Sequence, residues 1–176
     1  QLYHRLFPEL KNQQLESLYF QLEGPLIPVL KTMERNGISL DVPFLNNLSL
    51  QLQADITSLE QEIYQLAGKT FNTASPKQVG ETLFEHLKIS ESPKKTKTGQ
   101  YATSEEILLR LESAHPIVSK ILDFRELQKL KSTYVDALPQ LVHPRTGRIH
   151  TTLNQVVAVT GRLSSDNPNL QNIPVR

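Results

Sequence analysis

The chain has 176 residues, 38% of them hydrophobic and 21% charged, with a formal net charge of +1; this is the make-up of a globular protein with room for one or two domains and a sizeable core. It has no cysteine, which excludes disulfides and thiolate metal sites, and no apolar run of about 18 residues, so no membrane span is expected. Charge is uneven: residues 1–66 hold four Lys/Arg against eight Asp/Glu, and residues 67–176 hold fifteen against ten, so a polyanion is expected on the second half.

Leu2, Leu6 and Leu10, then Leu15, Leu18, Leu22, Leu26, Val29, Leu30 and Met33, recur at helical intervals and predict helices up to residue 35. Asn36-Gly37 supplies the stop. Glu23 and Glu34 are expected on a solvated helix face. Asp41 as N-cap and Pro43 in the first turn open a long helix, in which Leu45, Leu48, Leu52, Ile56, Leu59, Ile63 and Leu66 form one seam. Its partner comes later: Ile117, Ile121, Phe124, Leu127, Leu130, Tyr134 and Leu138 repeat the interval after Pro116. The two predict an antiparallel hairpin roughly 30 to 35 Å long.

Between them, Ser75-Pro76-Lys77-Gln78 reads as a capping box ahead of Val79, Leu83, Phe84 and Leu87, and Thr103 with Glu106 as a second box ahead of Ile107, Leu108 and Leu111. Two short helices are expected. Residues 90–101 lack apolar period and read as a mobile loop, with lysines at 94, 95 and 97 and hydroxyls at Thr96 and Thr98, then Thr103 and Ser104. Such a cluster binds phosphate oxygens without reading sequence; the competing reading is a solvated loop kept soluble by charge. Asn72, Ser75 and Lys77 belong to the same end. After a turn at Pro144-Arg145-Thr146-Gly147, the stretch Arg148 to Asn154 and then Val156 to Thr160 read as strands.

Residues 160–174 then place Arg162, Gln171, Ser164, Asn169 and Asn172 among turn residues. These side chains need polar partners. The duplex minor groove offers purine N3 and pyrimidine O2 acceptors in nearly the same place for every base pair, so donors there test pair shape and not sequence. Arg162 and Gln171 fit that task. The competing reading is that Arg162 pairs only with Asp166 and the asparagines only close turns.

TGRLSS followed by PNLQNIP closely resembles the segment that opens the palm of the family A DNA polymerases. Upstream, Leu22 to Leu26 and Met33 to Asp41 are similar to the start of that family's thumb, the Lys-Thr-Lys-Thr-Gly of residues 95–99 to its tip, and Lys129 to Tyr134 with His143 to Arg148 to its thumb-to-palm junction. The resemblance covers nearly the whole chain from about Tyr19. It implies an α+β fold, mainly α with a small β part: a long antiparallel helical hairpin with short tip helices, followed by the first palm strands. It implies the tail of a 3'-5' exonuclease-like domain over 1–22, a thumb over 23–137 and the start of a palm over 138–176.

The resemblance further implies part of a DNA-directed DNA polymerase, a nucleotidyltransferase that extends a primer in replication and repair. Its partners would be primer-template DNA and deoxynucleotide triphosphates, with Mg2+ in the intact enzyme and none held here. Arg162, Gln171, Asn169 and Asn172, with Ser164 and Arg176 nearby, would meet the growing end. Lys94, Lys95, Lys97, Thr98, Thr103, Ser104, Asn72, Ser75 and Lys77 would hold phosphates further back, and Lys131 lies at a position on the DNA side. Asp41, Asp55, Asp123, Asp136 and Asp166 read as caps, helix surface and turn, so no catalytic residue is expected within the chain and the piece alone is expected to be inactive. Gly68-Lys69-Thr70 fails as a phosphate loop, since Ile63 stands where its first glycine should be, and the five histidines read as scattered surface groups. A monomer in the bacterial cytoplasm, at the nucleoid and off the membrane, is expected. A non-catalytic nucleic-acid clamp and a helical protein-interaction module are the alternatives.

Overall fold

The structure, a computed structural model, describes residues 2–174. It divides into two units, one built from the two ends of the chain, up to Asp41 and from Leu138, the other from Val42–Ala137. The fold is α+β.

In the first unit, α1 (Leu2–Asn12) is followed by α2 (Glu16–Leu18), which runs through a π-helical turn, Tyr19–Glu23, into α3 (Gly24–Asn36). The stop falls where Asn36-Gly37 predicts it. Gly37 has φ +63°, its N–H donates to the Met33 carbonyl at 2.9 Å, and a Cβ there would stand 2.6 Å from the Ile149 carbonyl oxygen; only glycine fits that approach. β1 (Ile38–Ser39) then pairs antiparallel with β2 (Arg148–Ile149), Ile38 opposite Ile149, and β3 (Thr152–Asn154) pairs antiparallel with β4 (Ser164–Asp166), Thr152 opposite Asp166.

Two strand expectations are corrected here. The stretch from Arg148 to Asn154 is not one strand but two, with different partners. Val156 to Thr160 is not a strand: it lies in the connection of the β3–β4 hairpin, with Val156 92% and Val159 104% exposed. β-Branched residues favour a strand only where a neighbouring strand covers them, and β4 has already taken the place beside β3.

Glu23 and Glu34 are also corrected. Glu34 Oε1 accepts the Leu153 N–H at 2.6 Å, and Glu23 Oε2 accepts from Gln155 Nε2 at 2.7 Å, so both carboxylates tie the helical segment to the β3 region. His150 is no plain surface group either. Its Nδ1 lies 2.8 Å from the Glu34 carbonyl, its Nε2 lies 2.7 Å from Thr146 Oγ1, and its ring meets that of His143 edge to face at 5.9 Å.

The second unit is the expected helical hairpin. α4 (Val42–Ala67) has 26 residues, about 39 Å at 1.5 Å per residue, and buries Leu52, Ile56, Ile63 and Ala67. α5 (Pro76–Gly80) continues into a π-helical turn, Glu81–His86; α6 (Glu105–Arg110) is short; α7 (Ile117–Lys129) returns along α4 and ends in a π-helical turn, Leu130–Val135. Val79, Leu83, Phe84 and Leu108 close the core over Ile117, Val118, Ile121 and Phe124.

Capping differs from expectation in both tip helices. Ser75 Oγ accepts the Gln78 N–H at 3.4 Å, but Gln78 Oε1 takes the Asn72 N–H at 2.7 Å and not that of Ser75. The Thr103–Glu106 box does not form: the cap position falls on Ser104, Glu106 pairs with Arg110, and Thr103 is 6% exposed beneath Arg125.

Candidate nucleic-acid interface

The first group of candidate residues stands on the β3–β4 hairpin. Gln171 braces it, with Oε1 accepting the Ser165 N–H at 3.1 Å and Nε2 donating to the Leu163 carbonyl at 2.6 Å. Among the described residues the second Nε2 proton has no partner, so the amide is oriented and keeps a donor. Asn169 Oδ1 accepts the Gln171 N–H at 3.0 Å, an Asx turn, and Asn169 is exposed. Buried Ser165 takes the Leu170 N–H at 2.9 Å, and the Thr151 hydroxyl lies 2.7 Å from the Pro168 carbonyl. Ser164 faces Asn154 in the ladder and Asn172 is exposed.

These bonds fix the backbone that follows Arg162, from Leu163 to Gln171. The Arg162 side chain is exposed, and among the described residues it has no hydrogen bond or ion pair with the protein. Asp166, its suspected partner, is engaged by Asn167 through both carboxylate oxygens. A five-donor cation is thus presented on a braced hairpin. Arg176 lies outside the described residues.

The second group is at the tip of the helical unit. The lysine segment lies outside every helix and named strand, as a loop should, yet it has a definite shape. It folds back as a tight hairpin: Lys95 bridges Tyr101 antiparallel, the Thr96 N–H donates to the Gln100 carbonyl at 2.7 Å, Thr96 and Thr98 hydroxyls meet at 2.9 Å, and Gly99 turns the chain at φ +80°. Lys94, Lys95, Lys97 and Thr98 are all exposed on it, with the Lys95 ammonium 5.0 Å from the centre of the Tyr101 ring. Ser104 is exposed beyond it, whereas Thr103 is buried and turned to Arg125.

Asn72 and Ser75 sit on the turn before α5, and Lys77 sits in the first turn of α5. Asn72 Oδ1 accepts the Ala74 N–H at 3.0 Å, and Lys77 lies 3.8 Å from Glu81, a loose exposed pair. Lys69 and Thr70, set aside with the failed phosphate loop, share a hollow of about 350 Å³ with Ser75 and Lys77. Their charge and nearness in sequence were the available signal. Lys131 is held differently, its Nζ 2.7 Å from Asp136 Oδ2, while Ser49 Oγ donates to Oδ1 at 2.6 Å. The hydrogen bond from Lys131, then that from Ser49, holds the Asp136 carboxyl below its ordinary range.

Among the described residues no three of His, Cys, Asp and Glu gather as a metal site, and no helix is long and apolar enough to cross a membrane. The chain is 51% identical over 176 residues to "DNA polymerase I, thermostable" of Thermus aquaticus, covering 99% of this chain and 21% of the relative. It is 49% identical over 171 residues to DNA polymerase I of Synechocystis, covering 97% and 17%. It thus spans about a fifth of the length of the curated relatives it matches. Among solved structures, the POL domain of Pol1 from M. smegmatis, in complex with DNA primer-template and dNTP, superimposes with a TM-score of 0.82 at 41% identity, covering 96% of this chain and 30% of that one. With the family profile matching residues 42–176 on top of these likenesses, the chain belongs to DNA polymerase family A.

Proposed function

We propose that the chain is the thumb and opening palm of a DNA-directed DNA polymerase of the DNA polymerase I type, working on primer-template DNA in replication and repair. Residues 1–22 are the tail of a preceding exonuclease-like domain, 23–137 the thumb and 138–176 the start of the palm. The observation that carries the reading is Arg162, an exposed cation without a protein partner among the described residues, on a hairpin whose backbone Gln171, Asn169, Ser165 and Thr151 hold in place. A guanidinium so placed reaches the degenerate acceptors of the minor groove at the primer end, with Gln171, Asn169, Asn172 and Ser164 beside it. Lys94, Lys95, Lys97 and Thr98, with Asn72, Ser75, Lys77 and Ser104, hold phosphates further back, and Lys131 stands on the DNA side with its charge offset by Asp136.

The chemical step belongs to the full-length protein. Polymerases of this family use divalent metal ions, here Mg2+, to activate the primer hydroxyl and steady the leaving phosphate of a deoxynucleotide triphosphate; the described carboxylates do not gather to hold them, so no metal step is assigned to this stretch. The protein acts as a monomer in the bacterial cytoplasm, at the nucleoid.

The test is primer-template binding by the full-length protein against salt. Arg162→Ala is expected to weaken binding to a recessed 3' end by roughly 10-fold or more, as a missing charged hydrogen bond implies, and to leave blunt duplex nearly unaffected. Alanine at Lys94, Lys95 and Lys97 is expected to lower the slope of log affinity against log salt by about 0.9 for each phosphate that is no longer neutralised. Salt-insensitive binding would overturn the reading, and absence of primer extension with Mg2+ would leave a clamp and not a polymerase.

A further inference from the structure

The lysine hairpin is too short to hold its own shape: a single two-stranded ribbon is marginal at best in water. Two anchors fix its outgoing strand. Tyr101 packs on Phe84, ring centres 5.2 Å apart, and backs onto Gly80 so closely that a Cβ on that glycine would stand 2.7 Å from the Tyr101 Cβ. Two residues on, Thr103 is buried, and Arg125 reaches it from α7 across 22 positions of sequence. One arm of the guanidinium donates to the Thr103 carbonyl, the other to Thr103 Oγ1 at 3.2 Å.

Arg125 is itself half-buried, and burial lowers its pKa from the ordinary value. Both acceptors it holds are neutral. A cation placed on the exposed side for phosphates would be expected to stay solvated and paired with water. This one is desolvated and spends its planar fork on a carbonyl and a hydroxyl of a single residue, a geometry that the point charge of lysine does not reproduce.

We propose that Arg125 is a positioning residue for duplex binding: through Thr103 it fixes the direction in which the hairpin presents Lys94, Lys95 and Lys97, and it makes no phosphate contact of its own. Thr103 is accordingly an anchor and not a DNA ligand. The inference rests on the phosphate grip proposed above, and the test separates the two.

The full-length protein is compared as wild type, Arg125→Met, Arg125→Lys, Lys94/Lys95/Lys97→Ala and the Arg125→Met form of that triple variant. Two quantities are read: the slope of log affinity for primer-template against log salt in all five proteins, and, in the three that keep the lysines, the rate of trypsin cleavage after Lys94, Lys95 or Lys97 without DNA. Arg125→Met is expected to speed cleavage in the hairpin and to lower the slope about as much as the triple variant, by up to about 2 to 3, with no further drop when the two are combined. Arg125→Lys is expected to fall between. A slope loss that adds in full to that of the triple variant would make Arg125 a phosphate ligand and overturn the proposal, and so would unchanged cleavage. If the triple variant itself leaves the slope unmoved, the phosphate grip fails, whereas the cleavage rate still decides the strap. Should Arg125→Met not fold, Thr103→Val removes the hydroxyl acceptor alone and is expected to move both readouts in the same direction by less; no movement in either would overturn the proposal.

Discussion

Thr82 shows how a single buried atom sets a testable cost. It is 1% exposed inside the tip, and among the described residues its hydroxyl has no hydrogen-bond partner. Burying an unmatched hydroxyl costs about 1 to 3 kcal/mol, and valine has nearly the same shape. Thr82→Val is therefore expected to stabilise the protein by about 1 kcal/mol, read as a higher denaturant midpoint with unchanged slope. Asp136 works in the opposite sense. Its folded pKa is held down by Lys131 and Ser49, so its contribution to stability is present above the unfolded pKa of about 4 and is lost as pH falls through the lower folded value. The group is partly exposed, 37% at the side chain, which limits the effect to roughly 1 kcal/mol. Asp136→Asn should lose that amount at neutral pH, and the gap to wild type should begin to close below about pH 4. A gap that persists in strong acid would show that packing and not charge is responsible.

Among elements, the ones legible in sequence are those whose partners are local or periodic. The seam from Leu45 to Leu66 and its return from Ile117 to Tyr134 carry their own period, and Asn36-Gly37 marks its own stop. The elements misread, or read only as a loop, all answer to a distant residue. Thr103 is drawn from its capping box by Arg125, Glu34 meets Leu153 from 119 positions away, Glu23 meets Gln155 from 132, and the lysine hairpin is held by a tyrosine docked on Gly80 and Phe84. In the candidate site, the residue types were readable from the motif, but the division of labour was not: Gln171 spends its carbonyl and one amide proton on bracing the turn, Asn169 its carbonyl, and Arg162, among the described residues, nothing. The end of α3 gives the sharpest element-level test. Alanine at Gly37 would meet both a left-handed φ and overlap with the Ile149 carbonyl, a combined penalty on the order of 3 kcal/mol. Gly37→Ala is expected to lower the melting temperature and loosen the β1–β2 pair, seen as faster amide exchange at Ile149. Wild-type exchange there would refute the fit.

At the scale of the whole molecule, folding redistributes the charge that the linear sequence displays. The second half of the chain is positive, yet the Val42–Ala137 unit holds eleven Lys/Arg against twelve Asp/Glu. Attraction to a polyanion there has to be local, which places it on the cluster at 94–97 and not on the unit's net field. The same unit is one uninterrupted stretch of chain with a core of its own, from Ile56 and Ile63 through Leu83 and Leu108 to Ile121 and Phe124. The other unit joins two distant stretches, and its large hydrophobics at Leu2, Leu6, Phe20, Leu22 and Ile27 are about half exposed or more. A stretch of about 100 residues with a contiguous core should unfold as one step with an enthalpy of about 60 to 80 kcal/mol. Residues 42–137 expressed alone are expected to melt cooperatively, with calorimetric and van't Hoff enthalpies in agreement and the slowest amide exchange in α4 and α7. A broad melt lacking a heat-absorption peak would mean that α4 and α7 need the remainder of the protein to pair, and that the core around Ile63 and Ile121 is not self-sufficient.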